Sequence, residues 1–115
     1  MKENIVKDKS FAFALRVVNL AKFLETKKRE FVLSRQVLRS GTAIGALVRE
    51  AEHAESKADF IHKMSIALKE ANETEYWLEL LYKGEYMGEQ SFTSIQSDNE
   101  ELIKLLVTIV KSSKR

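Results

Sequence analysis

The sequence predicts an all-α protein, an antiparallel up-and-down four-helix bundle. Three observations carry this. There is no proline and there are only four glycines in 115 residues, a composition that helices tolerate and that strand-and-turn folds rarely show. Apolar residues recur every three or four positions in four separate stretches. The connections between those stretches are short, and short connections make sequential helices antiparallel neighbours.

The length allows one domain, residues 1–115, with an ordered core expected over about residues 8–112. A chain of this size buries a core without a disulfide or metal staple. It has no cysteine, so disulfide frameworks and thiolate zinc sites are excluded and a reducing compartment is expected. No apolar run approaches the roughly 20 residues of a membrane span. The charged segment Met1–Ser10 is not followed by a signal-peptide core or cleavage site. A cytoplasmic protein with no membrane partner is therefore expected.

The first helix is predicted over Ser10–Lys28. Phe13, Val17, Leu20 and Leu24 form one stripe; Phe11, Ala14, Leu15, Val18 and Ala21 form another beside it. Together they cover more than half the circumference, wider than the stripe of a little over ~100° that one contact needs. This helix is expected to touch more than one neighbour, in its own bundle or in another subunit.

The second helix is predicted over Glu30–Ala54, with Leu33, Val37, Ser40, Ile44, Leu47 and Ala51 as its inward seam. Gly41 and Gly45 lie inside it, each costing about 1 kcal/mol relative to alanine. Their spacing puts both on one face, where they permit close approach of another helix. The third helix starts at Ser56, whose pairing with Asp59 resembles a capping box. Phe60, Met64, Ala67, Ala71, Thr74, Leu78 and Leu81 follow a bundle spacing, and Gly84 and Gly88 end the helix. The fourth is predicted over Ser94–Lys111, carried by Ile95, Leu102, Leu106, Ile109 and Val110.

The net charge of +2 hides an uneven distribution. Residues 1–50 carry 11 Lys/Arg against 5 Asp/Glu, or +6; residues 51–115 carry 8 against 12, or −4. The asymmetry either separates a basic from an acidic surface or is neutralised across helix pairs or subunits. On the second helix Arg35, Arg39, Thr42, Ala46, Arg49 and His53 recur along the side opposite the seam. Arg35, Arg39 and Arg49 form a candidate nucleic-acid-binding stripe, because a guanidinium fork donates two hydrogen bonds to a phosphate. Lys27, Lys28 and Arg29 extend it. The competing expectation is a solvated face, or arginines paired with acids of another helix or subunit.

On the third helix Ile66, Trp77 and Leu80 lie away from the seam and are the candidate oligomer interface, since apolar groups opposite a core more often meet a subunit than a ligand. The alternative is ordinary core. Glu50-x-x-His53 and Asp59-x-x-His62 have the spacing of di-iron bundles, but the other helices offer acids only near their ends, and surface histidines are the expectation: no metal and no cofactor. The acids Glu70, Glu73, Glu75 and Glu79 spread around their helix as solvated or ion-paired groups. There is no cysteine nucleophile, G-x-S-x-G, P-loop or G-x-G-x-x-G, so no enzyme is expected.

The segments Leu38-Arg39-Ser40-Gly41-Thr42-Ala43-Ile44, Glu50-Ala51-Glu52, Ser56-Lys57-Ala58-Asp59-Phe60, Ala67-Leu68-Lys69-Glu70-Ala71 and Glu73-Thr74-Glu75-Tyr76-Trp77-Leu78 together resemble the four-helix-bundle family named for 23S rRNA intervening sequences. The resemblance spans about residues 8–112 and extends to the accessory proteins of diversity-generating retroelements. It implies an antiparallel bundle assembled as a ring-like homopentamer, with RNA or DNA, or a protein such as a reverse transcriptase, as partner in the retroelement members. It implies no catalytic residues. Of the basic positions only Arg39 lies within the family-like segments. A protein-interaction scaffold without nucleic-acid binding is the second expectation.

Overall fold

A computed structural model describes residues 4–115. Four helices follow in order: α1 (Ile5–Lys27), α2 (Leu33–Glu52), α3 (Lys57–Lys83) and α4 (Glu89–Ser113). Each packs on its chain neighbours, and α4 closes back on α1 through the loosest of the four seams. The diagonal partners, α1 with α3 and α2 with α4, make no direct backbone approach. The result is an antiparallel bundle 44 Å long and 24 × 21 Å across.

The predicted periodicities place the core. On α3 Met64, Ala67, Ala71, Thr74, Leu78 and Leu81 are all buried, and Phe60 is half-buried against them. They meet Phe13, Val17 and Leu24 of α1, Val37 and Ile44 of α2, and Ile95, Leu102 and Leu106 of α4. Each fully buried aliphatic or aromatic side chain is worth about 1.5–3 kcal/mol against exposure. The two interior glycines face α1: Gly41 lies against Val17 and Gly45 against the Ser10 backbone.

The helix ends differ from the predicted ones. α1 begins at Ile5 rather than Ser10, because Asn4 caps it by accepting the Lys7 amide (3.1 Å). α2 begins at Leu33 rather than Glu30, because Arg29 turns the chain with φ 54°. Glu30 instead uses its carboxylate to accept the amides of Leu33 (2.9 Å) and Ser34 (2.8 Å). α4 begins at Glu89, one turn before the expected Ser94, with Phe92 stacked on Tyr82 at 4.4 Å between ring centres. The Ser56 cap is as expected, its Oγ accepting the Asp59 amide (3.0 Å), while Asp59 in return accepts the Glu55 amide (3.2 Å). α3 ends at Gly84, yet the left-handed residue of that turn is Glu85, with φ 69°.

Of the six polar side chains buried among the described residues, Ser40, Thr74 and Asn99 tie α3 to its neighbours. Ser40 Oγ and Thr74 Oγ1 lie 2.9 Å apart at the α2–α3 contact, and Thr74 also donates to the Glu70 carbonyl. A hydroxyl has one proton, so Ser40 supplies the one between them. Asn99 of α4, fully buried, donates from Nδ2 to the Ala71 carbonyl at 2.9 Å.

Candidate nucleic-acid interface

Helical phase sets where the three arginines of α2 emerge. All are exposed, on the side away from the Val37–Ile44–Ala51 seam. They do not run along one line. At 100° per residue, Arg39 and Arg49 diverge by about 80°, and the packing on either side takes them in opposite directions. Arg39 leans to α3, where its guanidinium meets Glu70 (3.3 Å) and Glu73. Arg49 leans to α1 and stands over the Phe11 ring, 5.1 Å from its centre. Arg35 lies between these directions and makes no ion pair among the described residues.

The Arg39 site is a compact network. Glu73 accepts the Trp77 indole N–H (2.9 Å) as well as Arg39, and Glu70 is mostly buried beside them. Two of the five acids on α3 are therefore taken up by one arginine. Arg39 remains half-exposed, so it keeps a solvent edge, but its charge is largely compensated.

A cluster of cations without ion pairs gathers at the α1–α2 turn. Lys27, Lys28, Arg29 and Arg35 are exposed, and among the described residues none of them forms an ion pair. The nearest carboxylate in sequence, Glu30, is occupied by the α2 amides. Phe23, Phe31 and Val32 project beside these cations, 41%, 45% and 70% exposed. The reading of α2 as one stripe missed this clustering of rings and cations. Its signal stands in the sequence as Lys27-Lys28-Arg29-Glu30-Phe31-Val32, basic and apolar residues in one turn.

The expected oligomer residues are placed unevenly. Leu80 is exposed, with Tyr76 beside it at 55%. Ile66 is half-buried, and Trp77 packs against the core with the Tyr76 ring edge-on at 5.0 Å. Trp77 thus serves its own bundle at least in part, and Tyr76 is the exposed aromatic the periodicity overlooked. The opposite, outer face of α1 exposes Ile5, Phe11 and Leu15 at about half of their surface each.

For the paired acid–histidine motifs, no three candidate metal ligands come together among the described residues. Glu50 of the first motif is held by Lys63 at 3.0 Å. No helix is long and apolar enough to cross a membrane.

Fold and surface together define a small all-helical bundle with a compensated acidic–basic flank and a cationic end. The chain belongs to the 23S rRNA-intervening sequence protein family, whose model matches residues 2–108. It is similar in structure to a protein from Bacteroides thetaiotaomicron, described as a protein with unknown function from the S23 ribosomal protein family. The two share 61% identity and a TM-score of 0.91, over 92% of this chain and 98% of that one. No curated protein matches the chain.

Proposed function

We propose that the protein is a non-enzymatic, homo-oligomeric binding protein of the cytoplasm that holds RNA or DNA on the cationic side of α2 and the turn before it. The observation that carries the reading is the set of exposed cations Arg35 and Lys27–Arg29, which form no ion pair among the described residues, with Arg49 further along the helix attracted only at longer range by Glu52. Uncompensated cations on a rigid helix are what a phosphate backbone recruits, by releasing its counterions. Arg39 contributes less, because Glu70 and Glu73 already neutralise it.

Self-association is supported by two apolar patches on diagonal helices: Phe11 and Leu15 on α1, and Tyr76 and Leu80 with half-buried Ile66 and Trp77 on α3. Patches on different sides of one subunit suit head-to-tail contacts, and such contacts close into rings when the rotation allows. The homopentamer implied by the family resemblance is an assembly of that type. Light scattering on size-exclusion fractions tests it: Leu15→Glu and Leu80→Glu should each reduce the mass to that of a monomer.

The binding reading is tested by titrating RNA and DNA oligonucleotides at increasing salt. Wild-type protein should bind, with affinity falling as salt rises. An Arg35→Glu, Arg39→Gln, Arg49→Glu variant should bind less and with a shallower salt slope. Glutamine is used at 39 because a carboxylate there would face Glu70 and Glu73. Wild-type binding that the triple variant retains in full would remove the α2 face from consideration. No binding at any salt, together with a protein partner engaging Tyr76 and Leu80, would favour the scaffold reading.

A further inference from the structure

A groove of about 650 Å³ opens at the same end of the bundle, where the C-terminal part of α1 faces the α3–α4 turn. It lies at the mouth of the α1–α4 seam, the loosest of the four. Rings line it: Phe23 from α1, and Tyr82 and Tyr86 from the end of α3 and the turn. Tyr82 is fixed by its stacking on Phe92, 4.4 Å between centres and 8° from parallel. Lys28 stands at the rim with its Nζ 5.9 Å from the centre of the Phe23 ring. Lys27 and Arg29 flank it in sequence, free of ion pairs. Glu85 and Glu89 also line the groove.

We propose that this groove receives an unpaired nucleobase and that the bundle end is a single-strand-selective site. The inference rests on the nucleic-acid reading above and adds a substrate class to it. A groove walled by rings with Lys28 at its rim, and with Lys27 and Arg29 next to it in the chain, matches the two halves of a nucleotide: base against aromatic side chains, phosphates against the cationic turn. Single-stranded sites combine stacking platforms with a positive track in this manner. In a duplex the base faces are stacked and hidden, so only the backbone could reach the rim. The two carboxylates fit the same orientation. They repel phosphate, but they accept hydrogen bonds from the N–H groups on base edges, so the base turns inward and the phosphates stay at Lys28. Anionic lipid would also attract Lys27–Arg29, and Phe31 and Val32 project beside them for a bilayer to take up, but such docking leaves the concave ring-lined groove unused.

The experiment compares binding of fluorescent single-stranded RNA of about 12 nucleotides, within the size range of such sites, with the same sequence as a duplex. Phosphatidylserine vesicles form the third arm. Wild-type protein should prefer the single strand. Phe23→Ala should cut single-strand affinity about tenfold, the scale of one lost stack, while leaving duplex binding unchanged. Phe23→Tyr should restore it, and Lys28→Ala should weaken the single strand and lower the salt slope by about 0.7. Phe23 is 41% exposed, and circular dichroism checks that the alanine variant keeps its helix content. Equal affinity for the two strand forms, or single-strand binding indifferent to Phe23→Ala and Phe23→Tyr, overturns this inference and leaves the broader nucleic-acid reading standing. Failure to bind either strand form at about 50 mM salt, where phosphate contacts are strong, overturns both. Vesicle binding that displaces the RNA and is lost in Phe23→Ala overturns the groove's assignment in favour of lipid.

Discussion

Gly41 of α2 sits directly against the side chain of Val17 on α1: a Cβ on Gly41 would lie 2.8 Å from both γ-carbons of that valine. Val17 is fully buried and β-branched, with little freedom to turn aside. The helix cost of glycine is therefore exchanged for a close α1–α2 contact. Gly41→Ala gains about 1 kcal/mol of helix propensity and pays about 1–3 kcal/mol for overpacking. The expected outcome is a net loss of about 1 kcal/mol, read by chemical denaturation. Combined with Val17→Ala, the substitution should become less costly or favourable, because the two sites share one contact. A Gly41→Ala protein more stable than wild type would show that α1 and α2 are not held at this separation.

Glu30 supplies the cap that α2 lacks at Val32. Its carboxylate accepts the Val32, Leu33 and Ser34 amides at 3.2, 2.9 and 2.8 Å, and its charge suits the positive end of the helix dipole. Glu30→Ala should cost about 1–2 kcal/mol, and Glu30→Gln less, since the amide oxygen still accepts. Hydrogen exchange should quicken first at the amides of 32–34. Unchanged exchange there would show that other groups satisfy these donors.

Glu85 occupies the left-handed conformation (φ 69°) in the turn that closes α3. The Tyr86 amide returns to the Leu81 carbonyl (2.9 Å) and the Glu85 amide to that of Tyr82 (3.0 Å), the bond pair of a Schellman ending. That conformation costs a non-glycine residue about 1–2 kcal/mol, of which glycine's extra unfolded-state entropy takes back about 0.5–1 kcal/mol. Glu85→Gly is thus expected to raise stability by about 0.5–1 kcal/mol. A fall in melting temperature would mean that the carboxylate makes up for its backbone.

Lys7 and Glu52 tie the start of α1 to the end of α2, with the ammonium 3.1 Å from the carboxylate. Hydrogen bonding and attraction to Lys7 hold the Glu52 carboxyl below its ordinary value of 4.5. A carboxyl with a lowered folded-state pKa stabilises the protein above its unfolded pKa, and the effect fades as pH drops through the folded value. The pair is solvent-exposed, so its contribution is small and screened by salt. Lys7→Ala should lower the melting temperature slightly at pH 7, and the gap to wild type should close by about pH 3. A gap that persists in acid would assign the effect to the packing of the lysine stem.

Much of the bundle was legible because its signals are local. The seam from Phe60 to Leu81, the Ser56 cap and the close face at Gly41 and Gly45 each follow from spacing along one helix. The ends were less legible. The first turn of α4 offers a single apolar residue, Phe92, three positions before Ile95, and its place is fixed by Gly88 and by the stack on Tyr82. Asn99 falls in step with Ile95 and Leu102, but the α3 carbonyl that accepts its amide is one that no pattern on α4 reveals.

The candidate site divides in the same way. The sequence alone determined that Arg35, Arg39 and Arg49 fall on the solvent side of α2, since a residue's angle around its own axis follows from its position in the chain. Only the tertiary structure decided that Arg39 meets Glu70 and Glu73 and that Arg49 covers Phe11, while Arg35 and the Lys27–Arg29 turn form no ion pair among the described residues. A charge's worth is set by its neighbours in space, and which helix lies on which side of α2 is a property of the assembled bundle.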